Sequence, residues 1–208
     1  MKRRNLIFAA GALALLTLPP GPAVAEGSAA SVVGVVGQCA VERGGRPTPL
    51  KLGDAVAVSE TIDVPADGKL KLRMSDGSIV SLAASTRMTI AAYQTDSAGH
   101  RDTAQLSLSQ GLLRAVVAPV EHPSSFEVST AVGTAAVRST DWFIEAKPGS
   151  AQVGVLSGTV VLSSAATRRS VTIPARWGAR LEAGRDPVEA RVWALQEFQA
   201  VMSRTDLP

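Results

Sequence analysis

Sulfur and imidazole are scarce in this 208-residue chain: it has one cysteine, Cys39, and two histidines, His100 and His122. A single cysteine excludes an internal disulfide, so the fold must rest on an ordinary apolar core. Cys39 lies among Val35, Val36 and Val41, a strand-like setting that predicts a small buried thiol. Neither histidine stands at ligand spacing from a second donor, and no H-x-x-H, C-x-x-C or H-E-x-x-H pattern occurs. No metal and no cofactor is therefore expected, and both histidines read as exposed loop residues. Nucleophile-elbow, P-loop and dinucleotide-binding glycine patterns are absent too. Glycines such as Gly53, Gly68, Gly77, Gly111, Gly133, Gly149 and Gly158 stand singly at breaks, which is turn duty. The expectation is a protein that is not an enzyme.

Net charge is also lacking once the first 25 residues are set aside. Those hold Lys2, Arg3 and Arg4, an apolar run from Leu6 to Leu18, prolines at 19, 20 and 22, and Ala23-Val24-Ala25 ahead of Glu26. This is the form of a cleavable export signal. Its apolar run would span only about 20 Å as a helix, short of the roughly 30 Å hydrocarbon core, which argues against an uncleaved anchor. Arg3-Arg4 also fits the loose twin-arginine pattern, although a basic region of a general secretion signal is the simpler reading. The remainder carries 18 basic and 18 acidic residues out of 21 and 18 in the whole chain. The basic balance belongs to the signal, so no nucleic-acid partner is expected. A periplasmic protein with no stable membrane span after cleavage is.

What the chain does have is period-two alternation. Between Asp67-Gly68 and Asp76-Gly77, Leu70, Leu72 and Met74 face one way and Lys69, Lys71 and Arg73 the other. Residues 69–74 and 78–82 should pair antiparallel across Asp76-Gly77. Similar segments recur about every 8 to 12 residues through Ile173, with no helical crossover between them. This predicts an all-β, antiparallel β-sandwich or jelly-roll-like domain over residues 26–185. Gln94–Asp102 and Ala118–Ser125 read as its most mobile connections. One helix is expected at the end, over 186–204, with Asp186 as N-cap, Pro187 at the first position and Glu189 at the third. Its stripe Val188, Val192, Leu195, Phe198 and Met202 should dock on the β domain. Trp193 then falls on the opposite side, either exposed and marking an interface, or capping a neighbouring loop or packing against the sandwich edge.

Asp54, Asp67 and Asp76 sit at turns and read as turn formers. Arg138 precedes Asp141 and Trp142, and its guanidinium could pair with Asp141 or another carboxylate and pin the turn, or serve recognition. Arg138, Asp141, Trp142, Trp177 and Trp193 are the candidate interaction residues, with Trp177 or Trp193 a possible stacking platform for glycan.

Leu52-Gly53-Asp54, Asp76-Gly77-Ser78, Gln110-Gly111-Leu112-Leu113-Arg114, the run Thr130–Trp142 and Val155–Val160, in that order and spacing, resemble the FecR domain over about residues 50–173. The resemblance implies a periplasmic all-β module used in protein contacts. Family members of the best-known plan place it after a cytoplasmic anti-sigma segment and one transmembrane helix. The present sequence has neither ahead of its β region, so direct control of a sigma factor is not expected. It also has Ser139 where the family usually has glycine after the arginine. The partner implied is one or more envelope proteins, with a peptidoglycan- or glycan-associated role as the alternative.

Overall fold

The computed structural model describes residues 28–207, and the export signal expected over residues 1–25 lies outside them. The chain forms β1 (Ser28–Val36), β2 (Ala40–Arg43), β3 (Arg46–Pro49), β4 (Ala55–Ala57), β5 (Thr61–Val64), β6 (Lys69–Met74), β7 (Ile79–Leu82) and β8 (Thr86–Thr95). It continues through β9 (Arg101–Val116), β10 (Ser125–Ser129), β11 (Gly133–Val137), β12 (Asp141–Lys147), β13 (Ser150–Ser157) and β14 (Thr159–Ser164). The last elements are β15 (Ser170–Pro174), β16 (Trp177–Glu182), β17 (Arg191–Val192) and the one helix among the described residues, α1 (Leu195–Thr205).

These strands make two sheets. One runs β4-β1-β6-β7-β9-β12-β13-β16-β17. The other runs β3-β2-β5-β8-β9-β10-β11-β14-β15. β9 belongs to both and joins them. Its first part pairs with β8 and β10, and its last part with β7 and β12. The crossing is made at Gly111, whose φ of 94° suits glycine; a Cβ there would come within 2.5 Å of the Thr86 backbone. All pairings are antiparallel except β9 with β10, so the antiparallel expectation holds with one exception. That pair is parallel because residues 117–124 carry the chain back along the molecule before β10 starts.

Alternation decides what is inside. The hairpin forms as expected, with Leu70 opposite Leu82 and Leu72 opposite Val80. Leu70, Leu72 and Met74 are buried, and Gly77 takes a φ of 85° at the turn. Inward side chains of both sheets, from Val32 and Val41 through Leu106, Phe126, Trp142, Val153 and Leu162, form one contiguous core, which is the sandwich interior. Pro47 and Pro49 are tolerated in β3 because it pairs only with β2 and stands at an edge. Cys39 is buried as expected; burial pushes its thiol pKa up, and Sγ faces the Val36 and Lys69 carbonyls.

A second, smaller cluster lies on the outer face of the first sheet: Ala83, Leu112, Phe143, Trp193, Phe198 and Val201. Here the C-terminal reading needs correction. Residues 186–190 are not helical, β17 adds to the edge of β16, and the helix starts only at Leu195. The N–H of Val188 donates to the Arg180 carbonyl at 2.9 Å, so the chain satisfies the open edge of β16 before turning helical. Glu197 accepts the Ala194 N–H at 2.8 Å and fixes the true helix start. Of the expected stripe, Phe198 is buried, joined by Val201 and Thr205, whereas Val188, Val192 and Leu195 are more than half exposed.

Candidate interaction surface

The outer face of the first sheet is written in the second register of β12. Trp142, Ile144 and Ala146 enter the sandwich core, while Asp141, Phe143 and Glu145 face outward. Each outward residue receives part of the C-terminal segment. Phe143 meets the rings of Trp193 and Phe198 at centroid distances of 5.4 and 6.3 Å. Glu145 takes an ion pair from Arg204 at 2.8 Å. Asp141 accepts both Nε and Nη2 of Arg114, at 3.1 and 3.0 Å, and the Nη1 of Arg114 reaches Asp206 at 3.2 Å. Lys69, read from sequence as pointing to water, donates from Nζ to the carbonyls of Ser203 and Asp206 at 2.9 and 3.0 Å, a cation on the helix C-terminus.

Trp193 is 6% exposed, so of its two readings the packed one holds: it lies against the sheet and is not an exposed interface residue. Its indole lies on Gly178, where a Cβ would come within 2.2 Å of Nε1, and next to Gly154, the residue paired with Gly178 across β13 and β16. Two facing glycines in strand interiors make a flat floor for the ring. The Arg191 guanidinium also lies over the ring, 5.6 Å from its centroid. Beside this seat an open cleft of about 340 Å³ is lined by Gln152, Arg180, Val188, Arg191 and Trp193. Val188 lines this cleft with the charged Arg180 and Arg191, and Val192 and Leu195 add exposed aliphatic surface on the same C-terminal segment.

The other sequence candidates separate. Trp142 is fully buried in the sandwich core, which removes it from any surface. Trp177 is half-buried against the core edge. Arg138 is exposed and does not hold Asp141, whose partner is Arg114 on the neighbouring strand; no carboxylate among the described residues pairs with Arg138. Arg114 stood in plain view in the Gln110–Arg114 motif, and only the β9–β12 register, Arg114 opposite Phe143, reveals the pairing.

The turn after Arg138 is held by Thr140, whose Oγ1 donates to the carbonyls of Arg138 and Thr159 at 2.8 and 3.2 Å. Ser139 has a φ of 49°, the left-handed region that glycine occupies freely. Ser139→Gly should therefore stabilise the protein by about 0.5–1 kcal/mol, the relieved strain being partly offset by glycine's entropy in the unfolded chain. Thermal unfolding should show a midpoint higher by a few degrees; a lower one would contradict the strain argument.

Both histidines lie in loops as expected, His100 exposed and His122 partly so, but the fold brings them together. His100 and His122 are brought to Asp96 at the β8–β9 turn, and the donor atoms of the three lie within 4.8 Å of one another. Asp96 accepts the backbone N–H groups of His100 and Ala98 at 2.8 and 2.9 Å, and the first of these holds its carboxyl below the usual range. The connection expected to be mobile is thus partly tied. β8 runs to Thr95, and Arg101 is buried at 1% exposure.

A comparison with protein families matches the FecR protein family over residues 60–161, from the start of β5 into β14. No curated protein matches the chain. Two crystal structures of a "putative anti-sigma factor" from Parabacteroides distasonis ATCC 8503, at 1.65 and 2.50 Å resolution, share its fold. For both, the TM-score is 0.56 and the identity 17% over 67% of this chain. The chain spans 63% and 62% of those two chains' lengths.

Proposed function

Because this chain is a FecR-domain protein, we propose that it is a non-enzymatic binding and signal-relay module of the bacterial envelope, acting in the periplasm through contact with another protein. The family match over residues 60–161 carries this reading. The two solved proteins of similar fold are described as anti-sigma factors, which agrees with a regulatory role without assigning a sigma factor to this chain. The export-signal pattern of residues 1–25 supports the location. Among the described residues no helix is long and apolar enough to cross a membrane. The contact surface we favour is the apolar strip of Val188, Val192 and Leu195, since a charged rim around exposed aliphatic side chains is the usual make-up of a protein-binding patch.

Photocrosslinking in intact cells tests this, with the reactive residue at Leu195 or Val192 and, as a control, at exposed Thr167 on the β14–β15 turn. The expected result is one envelope protein captured from both strip positions and not from the control. Failure to capture any protein from either strip position would refute the surface. Adducts to glycan in its place would favour a wall-associated role for the protein.

A further inference from the structure

We propose that Asp96, His100 and His122 form a divalent metal site of the zinc class, tying the β8–β9 turn to the connection between β9 and β10. The three residues come from two segments that sequence places 22 residues apart, and the fold alone unites them. His100 Nδ1 lies 3.1 Å from Asp96 Oδ2, and His122 Nε2 lies 3.8 Å from the same oxygen. A tetrahedral zinc ion with bonds of about 2.0–2.1 Å holds its nitrogen and oxygen donors roughly 3.3 Å apart. The observed separations bracket that value.

The tautomer of His122 carries the argument further. Its Nδ1 lies 3.1 Å from the Pro123 carbonyl, an acceptor only, so Nδ1 bears the proton. In the neutral ring Nε2 is then the lone-pair nitrogen, and it is buried without a hydrogen-bond partner, 3.8 Å from Asp96 Oδ2. A cation placed between Nε2 and that carboxylate would give both a partner. The Pro123 carbonyl on Nδ1 is the outer acceptor that orients a metal-ligating histidine, and Asp102, 3.8 Å from Nδ1, adds negative charge nearby. Asp96 meanwhile is held in place and ionised by two backbone N–H groups, as a ligand should be. An open cleft of about 500 Å³ lined by His100, Pro119, Val120, Glu121 and His122 gives the ion a way in and leaves room for water as a further ligand. One carboxylate and two imidazoles suit Zn²⁺, Ni²⁺ or Cu²⁺ better than Ca²⁺ or Mg²⁺, which take oxygen donors.

The test is equilibrium dialysis of the full mature chain against Zn²⁺, with His100→Asn and His122→Asn made separately and Asp96→Asn as a third variant that keeps a turn acceptor. The site predicts one Zn²⁺ per chain and at least about tenfold weaker binding in each histidine variant. Loading with Co²⁺ should give the intense visible bands of a four-coordinate ion, and these should vanish in His122→Asn. No retained Zn²⁺ in the unsubstituted protein, or retention in both histidine variants equal to that of the unsubstituted protein, overturns the proposal. The readout concerns only this turn, so it stands or falls independently of the partner expected at the C-terminal strip.

Discussion

Arg101→Leu is expected to cost about 3–5 kcal/mol of stability, because it strands the Asp76 carboxylate in the protein interior. The side chains of Arg101 and Asp76 are 1% and 0% exposed, and Arg101 Nη1 is in direct contact with Asp76 Oδ2. Arg101 opens β9, while Asp76 sits in the β6–β7 turn, so the pair bolts together the two sheets. Its surroundings leave little slack. Asp76 also accepts the N–H and Oγ–H of Ser78 at 2.9 and 2.8 Å, and its own N–H donates to Tyr93 Oη at 2.9 Å. Arg101 donates further to Ser78 Oγ and the Ala118 carbonyl, both at 3.2 Å, and its guanidinium lies 5.4 Å from the Phe126 ring. Burial, with the nearby Asp76 charge, pushes the Tyr93 hydroxyl pKa well above its ordinary value, so it remains a protonated member of the network at neutral pH. Thermal unfolding should fall by roughly 6–20 °C in Arg101→Leu. Asp76→Asn combined with Arg101→Leu should cost clearly less than the two single losses added together, since removing both charges leaves neither one orphaned. Simple additivity of the two would show that the pair is not coupled.

This network shows where reading by pattern stops. Asp76-Gly77 was legible as a turn, and it is one, with the predicted Leu70–Leu82 and Leu72–Val80 pairing. Nothing in the local pattern says that the aspartate faces inward, because its partner lies 25 residues on, in a stretch rich in loop formers. The strand segments were legible because each strand buries one register against the core and exposes the other to water or to the C-terminal layer, as β6 and β12 do. The helix start was misplaced for a physical reason. Val188, Val192 and Leu195 have helical spacing, and Asp186-Pro187 makes a plausible cap, but the backbone of β16 had an open edge. Satisfying that edge outweighed an isolated first turn of helix. A clue was present in Gly154 and Gly178, which interrupt strands away from any turn and so signal close approach by another group.

That group is Trp193, and Trp193→Ala is expected to release the C-terminal layer at a cost of about 3–5 kcal/mol. The indole touches three things at once: the glycine floor of Gly154 and Gly178, the rings of Phe143 and Phe198, and the guanidinium of Arg191. The helix beyond it buries only Phe198, Val201 and Thr205, and its remaining ties are ion pairs through Arg204, Arg114 and Arg191 and the Lys69 hydrogen bonds to its last carbonyls, all at least partly open to solvent. Such pairs each contribute at most about 1 kcal/mol, too little to hold eleven helical residues once the ring is gone. The loss should therefore appear first as local opening, with the sheets intact. Limited trypsin digestion under native conditions should cut after Arg204 more than about tenfold faster in Trp193→Ala, while the far-ultraviolet β signal of the chain persists. Gly178→Ala should act in the same direction from the other side of the contact, because its Cβ would occupy the place of the indole. Unchanged protection of Arg204 in both variants would mean that the helix is held by its charges and not by the ring. If the protection is lost in both, the strip of Val188, Val192 and Leu195 owes its position to one aromatic ring on two glycines, and crosslinking from Leu195 should fail in Trp193→Ala as well.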